Sequence, residues 1–431
     1  MQDRGVPDIP HGQPGVGGLG APSRGWLLLG QAAGEMGSCR TLRGWFSSAI
    51  VTLSLAGCLA APVAPSTRKP PATPAAKTTA AAAQWPNEEW ATSTPEEQGM
   101  DSQRLAEMFE TIRERSLAVD SVTVIRNGTM VADATVYPFS PDSRHVIHSC
   151  TKSIVSALVG IAIHQGHLEG LEQPILDIFQ DRRVARIDAD KRAMTLEHVL
   201  MMASGLECRD SYLYRWRGLQ EMRQSDDWVQ FMLDLPMGEP PGARFEYCNG
   251  GSFLLSAAIQ ITTGLSALEF AQEHLFGPLG IDDVEWPANP QGISIGWGEL
   301  RMRPHDMARI GYLYLNEGEW NGQQIVPTEW VRVSTQKHIS ATLQDGYGYQ
   351  WWIADRGAFM ALGYAGQYIV VVPEQDLVVV FTSDLAEEQF YVPQQLLYEF
   401  VFSAAESDTP LSANPVGVAR LKAAAEALAR P

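Results

Sequence analysis

The chain predicts a mixed α/β fold of the α+β kind, in which one antiparallel sheet is flanked by helices and a helical lobe is inserted between its first and last strands. Three observations carry this expectation. Strand-like apolar runs stand at the two ends, Ser121–Tyr137 and Tyr347–Thr382, while 165–340 reads mostly as helix and loop. One helix, led by Ser149, is apolar on nearly every side, as a helix inside a core must be. The length of 431 residues with 45% hydrophobic content is enough for one large core or two lobes.

In chain order, the first 35 residues are rich in Gly and Pro and show no period. From Met36 the pattern changes: Arg40 and Arg43 precede an apolar run, Trp45–Leu55, that is too short for a stable span and reads as a signal-peptide core. Leu55-Ala56-Gly57-Cys58 then resembles the lipobox of bacterial lipoprotein signals. Met36 is therefore expected to be the true start, with 1–57 an upstream extension and signal. Residues 58–88, rich in Ala, Pro and Thr, are expected to be a flexible tether. A lipid on Cys58 would anchor the protein to a membrane on the periplasmic side of the bacterial cell envelope. The net charge of −18, with no basic stripe to offset it, argues against nucleic acid as a partner.

The domain proper is expected over 89–405, as a sheet lobe (89–163 plus 341–405) and a helical lobe (164–340). Ser102–Arg115 reads as a helix. Ser121–Arg126 and Thr129–Tyr137, joined by Asn127-Gly128, read as a hairpin with a type I′ turn. Helices are expected at Thr195–Met202, Asp227–Asp234, Ser252–Thr263 and Pro304–Leu315. Strands return at Tyr347–Ile353, Gln367–Val372 and Asp376–Thr382, a helix follows over Glu387–Phe402, and 406–431 forms a tail with a short Ala-rich helix.

The chemistry gathers at Ser149-Cys150-Thr151-Lys152. Ser149 stands at an N-cap or first-turn position, and Lys152, one turn on, shares its face. Burial and the positive end of the helix both disfavour the ammonium, and a neutral amine is the base that a serine nucleophile needs. Three of the six lysines follow a serine at this spacing, but Lys69 lies in a Pro/Ala/Thr run and Lys337 at a polar helix end. Only Lys152 sits inside an apolar helix, where a charge without a task is costly. Tyr247-Cys248-Asn249, between the turn Pro240-Pro241-Gly242 and an apolar helix, can bring a phenol to the same site, where a nearby amine would ease its deprotonation. Tyr314-Leu315-Asn316 repeats that triplet at a helix end and reads as core and cap.

The pieces Ser149-Cys150-Thr151-Lys152, Tyr247-Cys248-Asn249 and Gly363–Pro373, in that order, resemble the serine β-lactamase and penicillin-binding-protein superfamily. The similarity runs from about Trp90 to Leu385, and its nearest branches are class C β-lactamases, D-Ala-D-Ala carboxypeptidases, related esterases and 6-aminohexanoate-dimer hydrolases. It implies a β-lactamase/DD-peptidase-like fold and acyl transfer, with Ser149 as nucleophile, Lys152 and Tyr247 moving its proton, and a small ester or amide as substrate. It further implies that Asn249 binds substrate or Lys152, and that Tyr364, with Gly366 beside it, serves the oxyanion or the substrate. No metal or cofactor is implied, and neither Cys-x-x-Cys nor His-Glu-x-x-His occurs. The family's Lys-Thr-Gly or His-x-Gly triplet is missing, with Tyr364-Ala365-Gly366 in its place. The loss of that cation lowers β-lactamase and carboxypeptidase activity below esterase or small-amide hydrolase. A non-hydrolytic acyl-binding lipoprotein is the alternative of a different class.

Gly292-Ile293-Ser294-Ile295-Gly296 matches the nucleophile elbow of α/β-hydrolases, but prolines precede it and no helical pattern follows, so Ser294 reads as an ordinary loop or strand residue. His145 and His148 read as structural. Of the cysteines left after Cys39 departs with the signal, Cys150 and Cys248 adjoin candidate site residues and are expected mainly as buried thiols, a disulfide remaining possible.

Overall fold

The computed structural model describes residues 85–86, 89–210 and 214–431, all within one unit spanning 76–431. The expected signal, the anchor residue Cys58 and the tether through 84 lie outside the described residues. Packing begins by Trp85, earlier than the tether boundary at 88, because its ring meets Tyr312 and Trp320 at 5.5 and 5.3 Å.

The sheet is built from the two ends of the chain. A hairpin joins β1 (Val119–Arg126) to β2 (Thr129–Thr135), with Asn127 at φ 50° and Gly128 at φ 73°, the two left-handed residues that a type I′ turn requires. Far downstream come β3 (Gly346–Tyr347), β4 (Trp352–Ile353), β5 (Phe359–Gly363), β6 (Gln367–Val372) and β7 (Leu377–Ser383). The order across the sheet is β2-β1-β7-β6-β5-β4-β3, and every pairing is antiparallel. β6 and β7 are buried at every position, which explains their unbroken apolar runs: both faces of the sheet are covered.

The helices that matter are α1 (Ser102–Glu114), α2 (Thr151–His164), α3 (Leu196–Leu200), α4 (Trp228–Asp234), α5 (Asn249–Thr263), α6 (Pro304–Leu315) and α7 (Pro415–Leu428). α6 falls within the stretch assigned to the helical lobe, yet it packs on the sheet. Gly311 lets it approach so closely that a Cβ there would collide with Val378.

Two expectations need correction. The strand expected over Tyr347–Ile353 is two short strands, because Gln350 takes a left-handed φ of 63° and turns β3 back into β4. The helix expected over Glu387–Phe402 is broken into a 3₁₀ turn, an α-helical turn and a π-helical turn, with Pro393 in the second. The short Ala-rich helix expected within 406–431 is α7, which docks on α1 through Arg420, donating to the Glu110 carboxylate at 2.9 and 2.6 Å, and through Gly417 against Ser102. β5 had no strand signal of its own, since Phe359–Gly363 is as apolar as a core helix.

Candidate active site

Ser149 lies in a single 3₁₀ turn, His148–Cys150, that leads into α2. Thr151 through Ala162 of α2 are all buried, so the helix runs through the core and delivers Lys152 to its inner end with 1% of its surface exposed. His148 takes a left-handed φ of 46°, and the Thr151 hydroxyl donates to its carbonyl at 2.7 Å. The strand end β5 presses on this turn: a Cβ on Gly363 would lie 2.5 Å from the Ile147 carbonyl oxygen.

The amine of Lys152 makes three contacts. It donates to Asn249 Oδ1 at 2.8 Å and to the Trp297 carbonyl at 2.8 Å, and it lies 2.9 Å from Ser149 Oγ. Burial drives its pKa down from 10.5 to about 7, against the raising influence of Asp210 and Cys150. A neutral amine has two N–H donors and one lone pair. With both donors taken by Asn249 and Trp297, the lone pair is left facing the serine hydroxyl.

Tyr247 completes the cluster. Its ring lies under Lys152 Nζ, 4.8 Å from the centroid, and stacks on Trp352 at 6.1 Å. Its hydroxyl hydrogen-bonds Ser149, yet burial pushes the phenol well above its usual range. The expected easing of its deprotonation is thus corrected: Tyr247 holds its proton, and Lys152 is the group that gives one up.

Asn249 opens α5 and holds Lys152 by its side chain, while its own backbone N–H donates to Asp210 Oδ2 at 2.9 Å. Asp210 is 2% exposed, and burial raises its pKa to about 6. Two residues before it, Cys208 is bonded to Cys248, between Tyr247 and Asn249. Cys248 is therefore not the free thiol expected; Cys150 is free and buried, its Sγ donating to the Gln367 carbonyl at 3.3 Å.

Tyr364 follows Gly363 directly, so its backbone stands beside the Ser149 turn, and its half-exposed ring meets His148 edge-on at 5.6 Å. Gly366 packs against the segment after β7. Its φ is +89°, and a Cβ there would press on Leu385 at 2.7 Å and Ser383 at 3.1 Å, so glycine serves the turn. Trp352 stacks on Tyr247, whereas its neighbour Trp351 is core against Tyr314 at 4.6 Å. Tyr212 lies outside the described residues, and Tyr214 is exposed. Ser294 is buried and structural: its carbonyl accepts from Ser256 and its hydroxyl from the Leu268 N–H. His145 pairs with Asp120 at 3.2 Å, away from this cluster.

Sequence reasoning missed Trp297 and Asp210. The first contributes a carbonyl, which any residue carries, so no sequence signal marks it. Asp210 lay in Glu207-Cys208-Arg209-Asp210, where its cysteine neighbour was the one available hint.

A family model described as Beta-lactamase matches residues 96–399. The 6-aminohexanoate-dimer hydrolase of Paenarthrobacter ureafaciens is 25% identical over 314 residues, 67% of this chain and 79% of that protein. Among solved structures, a candidate 6-aminohexanoate-dimer hydrolase from Bacillus anthracis superposes with a TM-score of 0.60 at 20% identity, over 74% of this chain and 89% of the other. EstCE1, a hydrolase with promiscuous acyltransferase activity, gives 0.58 at 14% identity, over 69% and 99%. These two likenesses speak to the fold.

Proposed function

The chain belongs to the beta-lactamase family and is a hydrolase of that family, and from this premise we propose that it cleaves small esters or amides through an acyl-serine intermediate. The observation that supports this most is the arrangement of the buried amine, with both N–H donors occupied and its lone pair toward Ser149 Oγ. Lys152 takes the serine proton as Oγ attacks the substrate carbonyl carbon. The oxyanion that forms is held by the backbone N–H of Ser149 and that of Tyr364. Tyr247 passes its phenolic proton to the leaving alkoxide or amine and regains one from Lys152. Water then attacks the acyl-serine by the reverse relay, and the acid departs.

Small neutral substrates are favoured over carboxylate-bearing rings because Tyr364-Ala365-Gly366 offers no cation where the family's lysine or histidine stands. We also propose that the protein is lipid-anchored through Cys58 in the cell envelope. The purified protein is assayed against p-nitrophenyl esters of short acids, nitrocefin and the 6-aminohexanoate dimer, alongside Ser149→Ala. Multiple ester or amide turnovers, abolished in Ser149→Ala, are expected. Rapid nitrocefin turnover with poor ester turnover would reverse the substrate assignment, and acylation without turnover would make the protein an acyl-binding module.

A further inference from the structure

Asp210 is a buried carboxylate with no part in the proton relay just described, and its placement is specific. Its Oδ2 accepts the backbone N–H of Asn249 at 2.9 Å, and the Oδ1 of that same Asn249 accepts from Lys152 Nζ at 2.8 Å. One residue is thus gripped from two sides, by the acid through its backbone and by the amine through its side chain. Asn249 cannot shift along the axis of α5 without loosening its hold on the amine. The Cys208–Cys248 disulfide locks the arrangement by tying the segment that bears Asp210 to the residue between Tyr247 and Asn249. Close packing adds to this. Gly218 lies against the Cys208 carbonyl and Asp210 Oδ1, and a Cβ there would meet Oδ1 at 2.8 Å.

We propose that Asp210 is a positioning residue for Lys152: it fixes Asn249 from behind, and its negative charge sets the pH at which the amine becomes a free base. The proposal rests on the reading of Lys152 as the base for Ser149. A carboxylate at the start of a helix is ordinarily a cap, worth its bond to the orphan N–H groups and nothing more. Asp210 does cap α5 through its bond from Asn249, and the Leu219 and Gly250 N–H groups favour its ionised form. A cap placed near water would do that at less desolvation cost. What a surface cap would not do is act on Lys152, and here the two charges favour each other's ionised forms.

Above the usual histidine midpoint the other groups that face the amine hold one charge state. Cys150 and Tyr247 are raised by burial and keep their protons, and His148 is lowered by burial and stays neutral above its usual midpoint. Asp210 is therefore the variable charge near Lys152.

Asp210→Asn separates the two roles, because an amide oxygen still accepts the Asn249 N–H while the charge is gone. The rate of Ser149 labelling by a fluorophosphonate probe, and kcat/KM for p-nitrophenyl acetate, are measured from pH 5 to 9. In the native enzyme both should rise with pH around a midpoint of about 7. In Asp210→Asn the midpoint should fall by on the order of one pH unit, which raises the fraction of plateau rate at pH 6 about fivefold. An unchanged midpoint, whatever the plateau, would reduce Asp210 to a cap and overturn the proposal. Because the coupling is reciprocal, Lys152→Met supplies a second arm if Asp210→Asn does not fold. The Asp210 carboxyl, followed by ¹³C NMR, should then titrate above its native midpoint of about 6, and an unmoved midpoint overturns the proposal equally. Failure of the native protein to be labelled, or labelling that survives in Ser149→Ala, strikes at the hydrolase reading instead, since the carboxyl titration reports on the pair without any turnover.

Discussion

Lys152→Met tests the energetic premise of the site, because methionine keeps the length of the side chain and removes the amine. In the folded protein the amine titrates at about 7, against 10.5 in an exposed lysine. Between those two values the unfolded chain binds a proton that the folded chain does not, so stability must rise with pH across that window. The difference of about 3.5 pH units, at about 1.4 kcal/mol each, amounts to roughly 5 kcal/mol over the whole range, of which about 2 kcal/mol falls between pH 7 and 9. The assay is urea unfolding of the native protein and of Lys152→Met at pH 7, 8 and 9 with the disulfide intact. The native protein should gain about 2 kcal/mol relative to the variant over that interval, while the variant loses about 10²–10⁴-fold or more in turnover. Equal pH slopes in the two proteins would mean that the amine is not desolvated, and the account of its basicity would fail with them.

Two further outcomes follow from the same geometry. Tyr247→Phe keeps the ring against Trp352 and Lys152 but loses the proton donor. Its kcat should fall about 10²–10⁴-fold for alkyl esters and amides, and much less for p-nitrophenyl esters, whose leaving group departs without a proton; an equal loss on both would remove Tyr247 from leaving-group protonation. Cleaving the Cys208–Cys248 bond, which closes a 40-residue separation, by the double change to serine should cost about 4 kcal/mol in urea unfolding. Turnover should fall well below the unfolding temperature, since the bond flanks Tyr247 and Asn249, and full activity in the double variant would show that the clip is purely structural.

Much of the site was legible because its chemistry demands incongruous residues in an apolar setting. A lysine inside Thr151–Ala162 stands out, and Ser149 one turn earlier gives it a partner. The rule has a limit, shown by Lys191, which is also fully buried but whose amine donates to the Leu233 and Leu235 carbonyls at the end of α4. A buried lysine needs a task, and ending a helix is one. What stayed hidden were contacts made by backbone or by distant segments: the Trp297 carbonyl, the Asp210 carboxylate and the pairing of Cys208 with Cys248. Proximity in space, not local spacing, brings these to Lys152. Likewise the hairpin was readable from Asn127-Gly128, whereas β5 was not, because a strand buried on both faces loses the alternation that marks strands.

The seat of β1 between β2 and β7 has a consequence for how the molecule comes into being. Val119 lies opposite Ser383, and Arg126 opposite Leu377, so the early hairpin must wait for almost the whole chain before its second neighbour exists. Until then it offers a bare, apolar edge, and closing the intervening loop is slow and entropically uphill. Ribosome-bound fragments should accordingly be prone to association and to recognition by holdases, and the finished architecture would crystallise out of the chain late and at once.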